Sequence, residues 1–349
     1  MQRQSLLISA NTSLDRGRRV ATFLAEAWRS QGSAPPPLDL AEIAPLLLAS
    51  GAGALGWWRI RTAALEGPVP RRLRGAYRFH SMYALRHEHA VATAFRFLQK
   101  AGCAALLGKG WAAARLYPEP GLRPYGDIDL YVPAAAYEAV RALVESPANP
   151  GVFIDLHRGF SVLDDRPEPE LYRRSLVASA GGEQVRLLGH EDHLRLLCLH
   201  LLGHGGWRPL WLCDVAVAVE GRPPGFDWDY FQQGDPIRTE AVACVLTLAA
   251  ELLGARLEGV PPALAPRRLP EWIARTLLCY WGDPSFIPQG RRIPMSELRS
   301  PREIIKGLGQ RWPNAIEATM ARRARFDAAP RLPLQLAECA ARIVRFARS

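Results

Sequence analysis

Two patterns of apolar residues alternate along the chain. In the longer stretches apolar residues recur every three or four positions, which is typical of amphipathic helices. This spacing predicts helices in the first third of the chain at 18–29, 40–50, 55–65 and 71–101. Further helices are predicted at 134–146, 193–204, 227–232, 240–253, 270–281, 301–310, 313–325 and 334–348. Most of the chain is therefore expected to be helical.

Four short apolar runs lack the helical spacing and predict β-strands. They lie at 103–107, 126–132, 153–157 and 185–188. The second run alternates acidic and apolar residues with a period of two, which places Asp127 and Asp129 on one face of a strand. Ile128, Leu130 and Val132 then point to the opposite, buried face. A few strands among many helices indicate an α+β fold.

The acidic residues of these strands form the first candidate site. Two like charges on one strand face repel each other, and the pair becomes favourable when a cation lies between them. Asp155 offers a third carboxylate, on a face that it shares with His157. Three such carboxylates suit Mg²⁺ or Mn²⁺ and form the arrangement that two-metal phosphoryl or nucleotidyl transfer requires. For Asp127 and Asp129 alone, a solvated edge strand with two surface aspartates is the alternative.

A glycine turn follows the first predicted strand. Gly108 and Gly110 flank Lys109, and glycines at both positions allow a tight turn whose N–H groups approach phosphate oxygens. Lys109 would add a compact positive charge in a chain whose other basic residues are nearly all arginine. An ordinary surface loop is the alternative, and the Asp-x-Asp strand downstream favours phosphate binding.

Arg123 lies four residues before Asp127 and reaches the same end of the strand. One interpretation makes it a clamp for a phosphate or carboxylate group. The other makes it the ion-pair partner of one of the aspartates, and the same electrostatic attraction supports both.

Histidines recur in the predicted helix 193–204. His200 and His204 have the i, i+4 spacing of zinc-protease ligands, but the glutamate of His-Glu-x-x-His is absent. We therefore expect histidines packed between helices, with a role in a substrate pocket as the second choice. Asp214 is expected to form a hydrogen bond with one of these imidazoles.

Composition and charge restrict the class of partner. The chain has 349 residues, 48% of them apolar and 22% charged, as in ordinary globular proteins. A net charge of +10 favours anionic partners. Arginines 71, 72, 74 and 78 lie near Tyr77 and Phe79, an interleaving that can support stacking of single-stranded nucleic acid. No nucleic-acid-binding motif follows, and the helical spacing assigns the aromatic residues to the core, so nucleic acid is not the favoured partner.

The six cysteines are spread singly among apolar neighbours. This distribution predicts neither a zinc ribbon nor a disulfide framework, and it favours a reducing compartment. The N-terminal apolar run is too short for a signal peptide, and Glu42, Pro45 and several glycines interrupt the apolar stretch at 38–58. We expect a cytoplasmic protein without a membrane span.

The order strand, glycine turn, helix, Asp-x-Asp strand and later Asp strand resembles the DNA polymerase β-like nucleotidyltransferase superfamily. The chain is more closely similar to the bacterial family described as uncharacterised nucleotidyltransferase, whose members often accompany gene clusters for peptide natural products, including lasso peptides. The segments that carry this resemblance, within roughly residues 80 to 230, are 107–110, 116–118, 123–132, 154–157 and 191–214.

The resemblance implies a small polymerase β-like mixed sheet wrapped by N- and C-terminal helices. We expect an N-terminal helical region at 1–94, a nucleotidyltransferase-like core at 95–190 and a C-terminal helical region at 191–349. Only one predicted helix fits between Asp129 and Asp155, so a strand pair of the family pattern is expected to be missing.

The resemblance also implies site roles. Asp127 and Asp129 would hold two Mg²⁺ or Mn²⁺ ions, Asp155 would hold the catalytic ion and orient the acceptor, and residues 108–110 would bind the phosphates of the nucleoside triphosphate. Arg123 and His157 are candidates for the acceptor side or for supporting the metal ligands.

The predicted reaction moves a nucleotidyl group from a nucleoside triphosphate to a hydroxyl or phosphate acceptor. The resemblance alone points to a peptide as that acceptor. One alternative keeps the site but transfers a sugar or phosphoryl group, and another is a non-catalytic helical binding protein. The donor nucleotide, the acceptor and the oligomeric state are not predicted by the sequence.

Overall fold

The computed structural model describes residues 2–30, 36–63, 65–283, 285 and 311–348. Within these residues a five-stranded mixed sheet is surrounded by helices, which confirms the predicted α+β class. All five strands lie between Leu106 and Leu187. The sheet is therefore small, and most of the buried core is helical.

The N-terminal helices are α1 (Gln2–Leu24), α2 (Leu40–Ala49), α3 (Gly53–Ile60) and α4 (Pro68–Lys100). The first of them differs from the prediction of a helix at 18–29. It ends at Leu24 because Glu26 has a left-handed backbone with φ of 60°, which an α-helix does not accommodate. Asp39 caps α2 by accepting a hydrogen bond of 2.8 Å from the Ala41 N–H.

The strands are β1 (Leu106–Leu107), β2 (Asp129–Val132), β3 (Asp155–Arg158), β4 (Leu176–Ala180) and β5 (Glu183–Leu187). Their order across the sheet is β3-β2-β1-β5-β4. β2 pairs antiparallel with β1 and parallel with β3, while β5 pairs parallel with β1 and antiparallel with β4. β4 was not predicted, because Leu176–Ala180 lacks a continuous apolar run. Its hairpin with β5 turns at Gly181 and Gly182, whose φ values are 52° and 85°.

Three short helices connect the strands: α5 (Trp111–Ala114), α6 (Tyr137–Glu145) and α7 (Glu168–Arg173). The fully described stretch between β2 and β3 contains α6 and no further strand. This agrees with the expectation of a missing strand pair. It also makes β2 and β3 direct parallel neighbours, which brings Asp129 and Asp155 side by side.

The C-terminal helices are α8 (His190–Gly203), α9 (Pro209–Glu220), α10 (Trp228–Gln232), α11 (Pro236–Leu253), α12 (Glu271–Trp281), α13 (Ala315–Ala321) and α14 (Leu332–Arg348). α11 begins four residues before the predicted start because Asp235 caps it by accepting hydrogen bonds from two backbone N–H groups. The helix predicted at 301–310 lies outside the described residues. None of the helices described is both long enough and apolar enough to cross a membrane.

The two faces of the sheet pack against different helices. Leu130 and Val132 of β2 share a buried cluster with Val91 and Phe95 of α4. Tyr131, which points the other way, belongs to a second buried cluster that includes the apolar side chains of α8. Since Asp129 is two residues from Tyr131, its carboxylate lies on the α8 side of the sheet. The period-two face assignment is thereby confirmed for β2.

The middle of α4 departs from the prediction. Helical spacing assigned its aromatic residues to the core, but Phe79 is 56% exposed and Tyr83 is 40% exposed. The helix joins two buried clusters, with Leu73 in one and Val91 in the other, and its middle turns have a partner on one side only. Core packing therefore accounts for Tyr77, which lies against the first cluster, but not for Phe79 or Tyr83. No nucleic-acid-binding motif accompanies these residues.

Candidate active site

Strand pairing creates the acidic cluster. In the parallel register of β2 and β3, Asp129 lies opposite Asp155 and Tyr131 lies opposite His157. The His157 Nε2 atom is 3.1 Å from Asp129 Oδ1 and 3.4 Å from Asp155 Oδ2. The ligand atoms of Asp129, Asp155 and His157 all lie within 4.8 Å of one another. These three side chains can hold a metal ion.

Aromatic stacking orients the imidazole. The His157 ring stacks on Tyr131 with centroids 4.6 Å apart, and Tyr131 stacks in turn on Phe160 at 4.4 Å. The stack fixes the ring plane of His157 and leaves its Nε2 edge toward the carboxylates. The sequence reasoning did not identify this stack. The position of Tyr131, two residues after Asp129 and therefore on the same strand face, could have indicated it.

Asp129 is ionised throughout the physiological range. Burial alone would raise its pKa, but the hydrogen bond from His157 and the ammonium of Lys109 outweigh burial and lower the pKa from 3.8 to about 2. Asp155 is more open, with 49% of its side chain exposed, against 9% for Asp129. The site therefore combines one buried, permanently charged carboxylate with one that solvent or a ligand can reach.

Lys109 reaches the same carboxylate from the glycine turn. Its Nζ lies 2.6 Å from Asp129 Oδ1, in an ion pair. The flanking glycines are required by close packing: a Cβ at Gly108 would lie 2.6 Å from the Tyr131 ring, and one at Gly110 would lie 2.9 Å from the Asp127 carbonyl oxygen. Gly110 also has a φ of 55°. The turn thus holds Lys109 close to β2.

Asp127 lies outside the acidic cluster. β2 begins at Asp129, and Asp127 is exposed just before it, with no hydrogen bond to another described residue. The group of side chains able to share one ion does not include it. The structure therefore brings together Asp129, Asp155, His157 and Lys109, while the role of Asp127 as a metal ligand stays a prediction.

Arg123 is an ion-pair partner, but of a different aspartate from the two that the sequence offered. Its guanidinium donates to Asp214, with Nη2 2.9 Å from Oδ2 and Nε 3.2 Å from Oδ1. Tyr117 Oη donates to the same carboxylate at 2.9 Å. Both charged side chains are buried. The prediction of a hydrogen bond between Asp214 and an imidazole is wrong, because Arg123 and Tyr117 donate to this carboxylate instead.

His200 and His204 lie beside Trp211 of α9 in an aromatic cluster. The two imidazole centroids are 4.3 Å apart, and His200 is 4.9 Å from the Trp211 ring. Burial lowers the pKa of His200 to about 2, and His204 and the Lys109 ammonium add to this effect. His200 is therefore a neutral group within this aromatic cluster.

A family model matches the chain. The family model described as uncharacterised nucleotidyltransferase matches residues 37–148 and 144–254. These segments make up more than half of the chain and contain β1 to β5, α8 and α9. No curated protein and no solved structure matches the chain.

Proposed function

Because the chain belongs to the uncharacterised nucleotidyltransferase family, we propose that it transfers a nucleotidyl group from a nucleoside triphosphate to a hydroxyl or phosphate group of an acceptor. The convergence of Asp129, Asp155 and His157 within 4.8 Å carries this proposal. Two carboxylates and an imidazole at this spacing suit a divalent cation. Mg²⁺ or Mn²⁺ is the proposed ion, since both coordinate carboxylates and phosphate oxygens together.

The residues present fit such an ion. Asp129 and Asp155 would hold it, and Asp127, exposed two residues before β2, would offer a further carboxylate. When bound, divalent cations neutralise the triphosphate and activate the acceptor hydroxyl. His157 either completes the ligand set or fixes the orientation of both carboxylates, since its Nε2 lies within 3.4 Å of an oxygen of each.

Lys109 would bind the phosphates of the donor. Its ammonium already lies at the acidic cluster, held there by the turn between Gly108 and Gly110. A compact cation at this position favours the negative charge that grows on the departing pyrophosphate. Arg123 contributes indirectly, because its buried pair with Asp214 anchors the segment that leads into β2.

The acceptor side of the proposal rests on the resemblance to proteins from peptide natural-product clusters. A ribosomally made peptide with an accessible hydroxyl group is the proposed acceptor. Transfer of a sugar or phosphoryl group would use the same carboxylates, and the released product distinguishes the reactions, because only nucleotidyl transfer from a triphosphate liberates pyrophosphate.

One observation favours a second candidate, a non-catalytic binding protein. Lys109 already neutralises Asp129, so the folded protein does not need a metal ion to stabilise this carboxylate. A protein that had lost catalysis would retain such a pair as a structural contact. Such a protein would bind nucleotide without turnover, or would not bind nucleotide at all.

Pyrophosphate release tests the proposal. The wild-type protein is incubated with each of the four nucleoside triphosphates and Mg²⁺ or Mn²⁺, and candidate peptides are analysed by mass spectrometry for an added nucleotidyl mass. We expect release that stops in EDTA and in Asp155→Asn, and that persists in Asp15→Asn, an exposed position on α1. Calorimetry should show that triphosphate binding requires the cation. If the triphosphate binds without a cation, and binds equally well to an Asp129→Asn/Asp155→Asn variant, the metal-dependent site is refuted.

A further inference from the structure

Arg208, immediately before α9, is a partly buried arginine whose charge is not matched by a carboxylate in the described part of the chain. Its Nε donates to the Ser50 carbonyl oxygen at 2.8 Å. Its two Nη groups form no hydrogen bond or ion pair with another described residue. Arg123, by contrast, has its charge balanced by Asp214.

The fold provides a shaped position for this guanidinium. Gly51, at the end of α2, has a φ of 79°, and a Cβ at this residue would lie 2.3 Å from Arg208 Nη2. Only glycine allows the guanidinium to lie against the turn in this way. Together with the Ser50 carbonyl, the turn holds the side chain in one place and leaves the Nη groups free to donate.

The electrostatic surroundings place Arg208 at the edge of the site. Burial lowers the pKa of Arg208 to about 10; the Arg123 charge adds to this effect, and Asp214, Tyr117 and Asp127 oppose it. The guanidinium remains charged at neutral pH. Arg208 immediately precedes α9, whose Asp214 pairs with Arg123 in the segment that leads into β2, so it lies on that side of the acidic cluster. A desolvated cation without a counterion is costly unless an anion binds.

The start of α9 adds to the positive potential. Pro209 occupies the first turn, and no side chain caps the helix. The amide end of a helix of twelve residues carries a partial positive charge that favours anions. The helix begins immediately after Arg208, so its partial charge adds to the charge of the guanidinium.

We propose that Arg208 binds the triphosphate of the donor nucleotide through its two Nη groups, on the Asp127 side of the acidic cluster. This inference rests on the proposed function. A planar guanidinium forms two parallel hydrogen bonds to phosphate oxygens, which an ammonium does not. Lys109 and Arg208 would then hold the triphosphate from two sides, while the carboxylates face it through the metal.

Binding of ATP and of inorganic tripolyphosphate, each with Mg²⁺, tests the inference by calorimetry. Arg208→Gln removes the charge but keeps an amide that can donate to the Ser50 carbonyl. We expect it to weaken binding of both probes by about 10-fold or more, as for loss of a charge-assisted hydrogen bond. Arg61→Gln is the matched control, because Arg61 also donates to a backbone carbonyl, that of Ser30 at 3.0 Å, and should leave binding unchanged.

The outcomes separate the two proposals. If the wild-type protein binds neither probe, the proposed function fails. If it binds both and Arg208→Gln binds them equally well, the inference about Arg208 fails and the proposed function stands. A loss for ATP alone also overturns it, because the contact would then be to the nucleoside. Should Arg208→Gln not fold, Arg208→Lys decides: severalfold weaker tripolyphosphate binding supports the inference, and unchanged binding refutes it.

Discussion

Replacing Asp129 by asparagine should remove a contribution to stability that depends on pH in a defined way. In the metal-free protein the carboxylate is nearly buried and is held by Lys109 at 2.6 Å and by His157 at 3.1 Å. Both contacts favour the ionised form. The variant keeps the shape of the side chain but has no charge, so it reports on the charge alone.

The size of the effect follows from the pKa. Burial opposes ionisation, but His157 and Lys109 prevail and lower the pKa of Asp129 from 3.8 to about 2. At about 1.4 kcal/mol for each tenfold change in an ionisation constant, the folded state gains about 2–3 kcal/mol from the charged carboxylate. Because the folded pKa is the lower one, this gain is complete above about pH 5 and is lost as the pH falls toward 2. Roughly half is lost by pH 3.

Urea unfolding in EDTA between pH 3 and pH 6 measures this contribution. The difference in unfolding free energy between the wild type and Asp129→Asn should shrink by about 1 kcal/mol from pH 6 to pH 3. Asp15→Asn, at a position 64% exposed, should give a difference that does not change with pH to this extent. Taking the difference cancels the carboxyl groups that lie far from Asp129, because distant sites contribute additively. Parallel curves for the wild type and Asp129→Asn would refute the ion pair described here.

Three further substitutions separate the roles of neighbouring residues. Asp127→Asn should change the unfolding free energy of the metal-free protein by less than about 0.5 kcal/mol, because Asp127 is exposed. A large loss of stability in a thermal melt would instead assign Asp127 a structural role. Arg123→Gln leaves the buried Asp214 carboxylate without its cation and should destabilise the fold by about 3–5 kcal/mol, with part regained in Arg123→Gln/Asp214→Asn. No loss in urea unfolding would contradict the buried pair. His157→Ala should weaken Mn²⁺ binding more than Mg²⁺ binding in calorimetry, since imidazole suits the softer ion; equal losses would place His157 outside the coordination shell.

The local sequence pattern was sufficient to predict the two faces of β2. The alternation from Asp127 to Val132 predicted which side chains share a face, and Leu130 and Val132 lie in the core as expected. Asp129 and Tyr131, on the other face, are buried as well. A strand face depends only on the period of the backbone, so the sequence contains this information. The partners of Asp129 depend on tertiary structure instead. Lys109 and His157 reach it only because β1 and β3 flank β2 in the sheet, an order that no local pattern specifies.

The predictions that were wrong also concern contacts that depend on tertiary structure. Arg123 was expected to act near Asp127, but its partner Asp214 comes from α9, 91 residues away along the chain. Phe79 was assigned to the core because helical spacing identifies a face without showing whether anything covers it. The sequence did not indicate a role for Arg208, because its lack of a carboxylate partner is known only once its burial and its contact with Gly51 are known.

Lys109 and a divalent cation compete for one oxygen, and this competition makes a final prediction about binding order. The Lys109 ammonium lies 2.6 Å from Asp129 Oδ1, so a cation bound there by itself meets a neighbouring positive charge. A nucleoside triphosphate relieves the repulsion by drawing the ammonium to its phosphates. Metal and nucleotide should therefore bind cooperatively, each tightening the other by roughly 5- to 150-fold, the usual range of such coupling.

Lys109→Ala should remove the competitor and the phosphate contact together. Calorimetry with Mn²⁺ alone should then show tighter metal binding than in the wild type, while triphosphate binding weakens and the coupling between them falls. If the protein is an enzyme, turnover should fall by more than triphosphate affinity, because the ammonium acts most strongly on the charge of the leaving pyrophosphate. Lys100→Ala, an exposed lysine at the end of α4, should change none of these quantities. Weaker Mn²⁺ binding in nucleotide-free Lys109→Ala would mean that the ammonium supports the metal site, and the competition argument would be wrong.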